Sequence, residues 1–358
     1  MNSKLRAFVW TLALGASAAT QAAAPAAASA CDRACLEGFV EKYFDAVIAN
    51  DPKKVPLSPN VRFTEDGQRL LIGDGLWNTM KGKGKYRLFV TDAPAGEVTF
   101  LGTIQEDHRD ADKFNGSLIA LRLRVKDQMI TEVEQIVFRF PNETGDNFNR
   151  TYSRVDAMAT HPKYLQAIPA SERMSRADLI TQGNKYFSGM QKNDGKGDYP
   201  FSQDCLRHEN GGQSTSAPTP PGQTKPDPKT ALVYSGQWNC LEQFQSGLIH
   251  FVNRIRDRRF VALDTERGIA FAFGFFDHPG GETRRFKAPS GREVVAGPVQ
   301  PWTWQIAEIF KVEKGKISKI DAFLQRCPYG MNSGWSTWEQ GMSDQARDVT
   351  MEAPTWIF

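Results

Sequence analysis

Three short stretches carry side chains able to do acid–base chemistry. Arg207-His208-Glu209 sets a cation, an imidazole and a carboxylate side by side. Neighbouring side chains of a strand point to opposite faces, so Arg207 and His208 cannot both face one pocket. The alternation leaves open which one does, because Cys205 sides with Arg207 and Leu206 with His208. His278 closes the run Gly268–His278, on a face with Ala270, Ala272, Gly274 and Phe276. Small residues there leave room for a ligand or for a tightly packed helix, and an imidazole with an ordinary pKa near ~6.5 suits proton transfer. The plainer alternative is a strand-end histidine bonded to a neighbouring loop. In the next run Trp304 and Glu308 share one face, with Trp302 and Phe310 in the same alternation. A carboxyl buried among aromatics would titrate high, which suits acid–base work. The alternative is an exposed Glu beside core tryptophans.

Other residues could hold a substrate. Tyr329, Trp335 and Trp338 follow the last strand pattern and could form a lid or rim over an aromatic ligand, or seal a contact between domains. Arg256, Arg258 and Arg259 could recognise a carboxylate or phenolate, or form a solvated helix end favoured by the dipole. The working set is therefore His278, His208, Glu308 and Arg207 for proton transfer and charge stabilisation, with Trp304, Tyr329, Trp335 and Arg259 around the substrate. There is no Gly-rich phosphate loop, no His-Glu-x-x-His, no zinc-type His/Cys spacing and no Gly-x-Ser-x-Gly elbow. Catalysis is thus expected to need no cofactor and no metal.

The elements that must position these residues come in two copies. Gly75-Leu-Trp-Asn78 returns as Gly236-Gln-Trp-Asn239. Upstream, Pro56-Leu-Ser58 and Glu65-Asp-Gly67 return as Pro200-Phe-Ser202 and Glu209-Asn-Gly211, at the same internal steps. The period is far longer than that of a solenoid. In the first copy an amphipathic helix is expected over 33–50, then a short strand to Glu65, a short helix about Trp77, and strands at 86–92, 98–107, 117–125 and 130–140. In the second, a helix capped by Ser175 covers 176–192, a strand 204–209, a long helix 238–256, and strands fall at 259–264, 268–278, 303–312 and 316–326. Gly315 marks the last hairpin. Helices first and antiparallel strands after them read as α+β. The expected domains are 31–140 and 175–358, with a linker at 141–174 and a loop insertion at 211–236. Glu65, shared by both copies as Glu209, reads as structural, while Arg207 and His208 replace Phe63 and Thr64 and belong to the second copy alone.

Length and composition bound the rest. A chain of 358 residues accommodates two ordinary domains, and 24% charged residues is normal for a globular protein. Formal charge is +3, and Lys4 and Arg6 lie in an expected leader, so no basic face is implied and nucleic acid is not an expected partner. Residues 1–30 read as a secretory signal, with an apolar stretch from Ala7 to Ala18 too short to span a membrane. Ala28-Ser-Ala-Cys31 only loosely resembles a lipoprotein box, so a periplasmic or secreted location is expected over a lipid anchor. Five cysteines in an exported chain suggest disulfides: Cys31 with Cys35, and Cys205 with Cys240 across the 211–236 loop, which would leave Cys327 free. Other pairings are compatible with the spacing.

The order helix, short strand, helix, long sheet and terminal hairpin resembles the NTF2-like (SnoaL-like) cone fold. The resemblance is carried by Asp204-Cys-Leu-Arg-His-Glu-Asn-Gly211, Arg258-Arg-Phe260, Phe275-Phe-Asp-His278 and Gly315-Lys-Ile317, which look like a secreted branch of uncharacterised function. It implies two tandem cones, each a curved antiparallel sheet wrapped around its N-terminal helices, packed sheet to sheet as an intramolecular pseudo-dimer, the protein being a monomer of that kind or a homodimer. It also implies either a cofactor-independent lyase or isomerase or an inert binding module. For the enzyme, the expected ligand is a hydrophobic aromatic or polycyclic hydroxylated molecule bound in the second domain. Dehydration, retro-aldol cleavage and double-bond migration all fit one acid–base pocket.

Overall fold

The computed structural model describes residues 31–106, 115–139 and 154–352. The expected leader at 1–30 and residues 141–153 of the expected linker lie outside the described residues.

The first helix, α1 (Arg33–Ile48), starts where the Asp32 side chain accepts the Cys35 backbone N–H at 2.9 Å. Its 3/4-spaced Leu36, Phe39, Val40, Tyr43, Phe44 and Val47 are all buried. Strands β1 (Leu57–Glu65), β2 (Gln68–Arg69), β3 (Met80–Asp92), β4 (Glu97–Glu106), β5 (Asn115–Lys126) and β6 (Met129–Phe138) follow. They form one sheet in the order β2-β1-β6-β5-β4-β3. Positive φ at Asp127 and Gln128 makes the tight turn between β5 and β6.

The second half repeats this plan. Helix α2 (Arg176–Met190) is capped by Ser175, whose hydroxyl accepts the Asp178 N–H. Then come β7 (Phe201–Glu209), β8 (Gly212–Gln213), α3 (Cys240–Gln245), β9 (Arg254–Asp264) and β10 (Ile269–His278). A small hairpin, β11 (Arg285–Lys287) with β12 (Glu293–Val295), precedes β13 (Trp302–Glu313) and β14 (Lys316–Cys327). The short α4 (Trp338–Met342) and β15 (Arg347–Asp348) end the described chain. The second sheet runs β15-β9-β10-β13-β14-β7-β8, so β7-β14-β13-β10-β9 repeats β1-β6-β5-β4-β3. The turn between β13 and β14 is made by Lys314 and Gly315, both at positive φ.

Two expectations are corrected. The sheets are mixed, because β1 runs parallel to β6 and β7 parallel to β14. No hairpin joins either pair, so nothing in the connection forces them antiparallel. The long helix expected over 238–256 is only α3, with its capping box of Asn239 and Glu242. Gly247 takes φ +66 and a Cβ there would meet the Pro289 ring at 2.5 Å, so the helix stops and the chain turns into β9. The repeated Gly-x-Trp-Asn phrase enters a single 3-10 turn, Gly75–Asn78, in the first half and caps a helix in the second.

Each helix packs on one face of its own sheet. Leu179, Tyr186 and Phe187 of α2 meet Phe260, Ala270, Ala272, Phe276, Ile306 and Phe310. The other faces of the two sheets meet each other. Leu88, Val90, Leu101, Leu118 and Ile136 of the first share a core with Val261, Ile269, Phe271, Phe273, Ala307 and Ile309 of the second. Strand β10 therefore buries both faces, with small residues toward the helix and large ones toward the first sheet. Reciprocal ion pairs border this contact: Arg33 at the start of α1 binds Asp264 at the end of β9, at 2.6 Å, and Arg176 at the start of α2 binds Asp92 at the end of β3, at 2.6 Å. The disulfides are Cys31–Cys35 and Cys205–Cys240, with Cys327 free.

Candidate active site

A cavity of about 170 Å³ lies between α2 and the helix-facing side of the second sheet. Strand parity decides what lines it. From β7 come Arg207 and Glu209, from β13 Trp304, Ile306 and Glu308, and from β14 Ala322 and Leu324. Helix α2 supplies Tyr186 and Met190, and the 211–236 loop supplies Tyr234. The Cys205–Cys240 bridge ties β7 to α3 beside it, with Cα atoms 5.9 Å apart. Because Cys205 faces inward, Arg207 does too.

Arg207 organises the polar end. Its guanidinium donates to the Tyr186 hydroxyl at 3.3 Å, the Gln243 carbonyl at 2.7 Å, the Ser214 hydroxyl at 3.1 Å and the Tyr234 hydroxyl. It also pairs with Glu209 at 3.1 Å. Both phenols accept from Arg207, which leaves their own O–H groups to donate. Tyr186 and Glu308 line the same cavity wall. Burial lifts the Tyr234 phenol to about 12 and that of Tyr186 well above its ordinary value, so both are neutral donors.

Glu308 is 2% exposed. Burial pushes its carboxyl up to about 8, against the pull of the Tyr186 hydroxyl and the Arg207 charge and with the help of Glu209. At neutral pH it is mainly the acid. Glu209, its side chain 37% exposed and ion-paired, is the partner carboxylate in the same cavity. One carboxyl dry and one at the wetter rim is the arrangement that divides acid and base roles between two like groups.

The other sequence candidates fall elsewhere. His208 faces the opposite side of β7 and lines a separate cavity. His278 is fully buried, stacked on Trp302 with ring centres 4.1 Å apart and edge-on to Trp304 at 4.7 Å. Neither of its ring nitrogens has a hydrogen bond of ordinary geometry among the described residues. Burial drives its pKa down to about 4. Arg259 lies in β9 rather than beyond a helix, and grips Glu134 of β6 through two bonds of 2.9 and 2.6 Å. Arg256 is likewise in β9 and buried against Asp277. Trp335 donates its indole N–H to Thr64 on the first sheet at 2.8 Å, under the Arg62 guanidinium. Tyr329 is 45% exposed and Trp338 64% exposed, and neither lines the cavity.

The first half holds a different polar set at matching places: Tyr43 of α1 donates to Gln135 at 2.9 Å, and Gln135 donates to Glu65 at 2.9 Å. Register aligns Glu65, Gln135 and Leu121 across β1, β6 and β5, as it aligns Glu209, Ala322 and Glu308 across β7, β14 and β13. Leu121 thus replaces Glu308, and Phe63 replaces Arg207, both inside the first core. Glu65 accepts the Leu76 backbone N–H at 2.7 Å, a structural role that Glu209 does not share.

Tyr186, Tyr234 and Glu209 were not among the sequence candidates. Tyr186 carried a signal, since a phenol on the apolar stripe of a helix needs a buried partner. Tyr234 sits in an irregular loop and carried none.

His278 makes a separate prediction. Its folded pKa of about 4 lies below the ordinary 6.5, so its stabilising contribution is present above pH 6.5 and lost as pH falls toward 4. His278→Phe should remove that loss and gain about 2–3 kcal/mol on the native protein at pH 4 relative to pH 7. Thermal melts of both proteins at pH 7, 5.5 and 4 check it.

Among the described residues, no group of three or more His, Cys, Asp or Glu could hold a metal ion, and no helix is long and apolar enough to cross a membrane. Residues 172–324 match a family described as Domain of unknown function (DUF8021), a stretch that contains the whole polar end of the cavity. No curated protein matches the chain. Among solved structures, the chain is similar to AclR, a proposed hydroxylase from Streptomyces galilaeus, at 12% identity and TM-score 0.26, over 39% of this chain and 92% of that one. It is also similar to an NTF2-like protein from Burkholderia thailandensis, at 18% identity and TM-score 0.23, over 28% of this chain and 89% of that one.

Proposed function

We propose that this chain is a cofactor-independent lyase or isomerase whose acid–base site is the Glu308 cavity. The observation that carries the reading is a carboxyl pushed up to about 8 in the same small cavity as an ion-paired carboxylate, with two neutral phenols held by one guanidinium. In a dehydration, Glu209 removes the proton next to a carbonyl. The Tyr234 hydroxyl donates to the developing oxyanion, and Glu308 protonates the departing hydroxyl, which leaves as water. Double-bond migration uses the same two carboxyls without loss of water. At about 170 Å³ the cavity suits a single ring and is small for a polycyclic ligand. Trp304, Phe276 and Ile306 are its apolar walls.

On this reading the chain is two NTF2-like units packed as an intramolecular pseudo-dimer, the first a structural partner and the second active. The swapped Arg33–Asp264 and Arg176–Asp92 pairs support the two-fold relation, because an isologous contact pairs residue i with j′ and j with i′. The disulfides support an oxidising, periplasmic or secreted setting.

The test is turnover of single-ring β-hydroxy ketones, followed by absorbance of the conjugated product. The wild-type protein should convert at least one of them, and Tyr234→Phe should lower kcat about tenfold with little change in KM. Calorimetric binding without turnover of any compound would replace the enzyme by the inert binding module, and neither binding nor turnover would sink both.

A further inference from the structure

Strands β7 and β14 have a second face. His208 on β7 and Lys319, Asp321 and Phe323 on β14 point away from Glu308. With Tyr86 of β3 and the segment carrying Met158 and His161, they line a separate cavity of about 200 Å³. Its centre is an amine. Lys319 Nζ donates to His208 Nδ1 at 2.8 Å, to the Ile320 carbonyl at 3.4 Å and to Asp321. The Tyr86 hydroxyl donates to the other Asp321 oxygen at 2.8 Å. His161 accepts the Lys163 backbone N–H on Nδ1 at 3.2 Å, so its Nε2 carries the proton. Lys163 itself is taken up by Asp204 and Glu313. A lysine whose side chain is 3% exposed, in a cavity wall and flanked by an imidazole, a carboxylate and a phenol, is an unusual use of a residue that mostly sits on surfaces.

We propose that this second cavity takes a small aldehyde or ketone and that Lys319 condenses with it as a Schiff base. Burial holds the amine below its ordinary pKa, in spite of Asp321, so the neutral nucleophile is easier to reach than on a surface lysine. The Nζ lone pair forms the bond to the carbonyl carbon. The C=O π electrons move to oxygen, which takes a proton to give the carbinolamine. The C–O bond then breaks, the oxygen leaves as water with a second proton, and nitrogen gives up its own protons as C=N forms. One amine and one carbonyl give one imine and one water, with no oxidant or reductant. His208 and Asp321, both in hydrogen-bond reach of Nζ, take and return the protons. Met158 and Phe323 offer an apolar wall to a short substituent. This site goes beyond the Glu308 reading and its test does not depend on that reading.

The test uses the full chain with propanal and cyanoborohydride at pH 7, which reduces any imine to a stable alkyl-lysine read by peptide mass mapping. Early in the reaction Lys319 should be labelled at least tenfold faster than the exposed Lys53, Lys54 and Lys126. The preference should vanish in urea, and His208→Gln should slow labelling at Lys319 severalfold without affecting the surface lysines. Labelling at Lys319 no faster than at those three, or a preference that survives unfolding, overturns the proposal. An unchanged Lys319 rate in His208→Gln overturns the role given to His208.

Discussion

Replacing Glu308 with Gln should lower turnover by roughly 10²–10⁴-fold while making the protein more stable at alkaline pH. The two effects come from one cause. Burial holds the Glu308 proton to about pH 8, against an ordinary 4.5. A carboxyl raised in the folded state gives stability that is fully present below pH 4.5 and is lost as pH rises through 8. Each unit of raised pKa is worth about 1.4 kcal/mol, so the wild-type protein should lose roughly 3–5 kcal/mol across that window from this group. Gln keeps the shape of the protonated acid and has no proton to give up. It should therefore match the wild type at pH 5 and exceed it progressively from pH 6 to 9 in urea unfolding. For activity, kcat/KM of the wild type should fall above about pH 8 as Glu308 ionises, because the proposed role of Glu308 needs its acid form. A Gln variant that turns over at the wild-type rate would remove Glu308 from the chemistry. One that shows the wild-type loss of stability with pH would remove the buried proton itself.

How much of this was legible in the sequence depends on whether the deciding force was local. Strand parity is local, and it put Glu308 and Trp304 on one face and separated Arg207 from His208. It could not say which face was inside, because that is set by the bridge from Cys205 to Cys240, whose partner lies 35 residues away. Apolar spacing extended one helix too far, since Leu248, Phe251 and Ile255 continue the 3/4 rhythm beyond Gly247. There a backbone at positive φ and the close approach of Pro289 overrode periodicity. Placing the arginines of that region at a solvated helix end followed from the same error. As members of β9 they turn to different partners that no local pattern announces: Arg259 to Glu134 of the first sheet, Arg258 to Asn184 and Ser188 of α2, and Arg256 to Asp277 of β10. The repeated phrases were legible, and so was a difference between them: Phe63 against Arg207 could be read from those phrases alone. That the halves are fastened by swapped arginine–aspartate pairs could not, because each pair joins residues more than 80 positions apart, 84 in the case of Arg176 and Asp92.

Arg259→Leu should be the most destabilising single change in the contact between the sheets, by about 3–5 kcal/mol. The Arg259 and Glu134 side chains are 3% and 4% exposed and joined by two hydrogen bonds. Removing the cation strands a carboxylate that has already lost its water. Arg122 is the next cation, and at 3.8 Å it is too far to restore the lost hydrogen bonds. The double variant Arg259→Leu/Glu134→Leu removes both charges together with the desolvation cost of each, so it should recover most of the loss. A coupling of several kcal/mol in that cycle would place the ion pair, rather than leucine packing, as the cause. The shape of the transition matters as much as its midpoint. Leu88, Val90, Phe271 and Phe273 share one core across the two sheets, so losing the pair should shift a single unfolding transition and not split it. Two resolved transitions in Arg259→Leu would mean that each sheet with its helix folds alone, and that the contact is a docking of finished units. One transition, moved as a whole, makes the first sheet part of what holds β9, β10 and β13 in place around the Glu308 cavity.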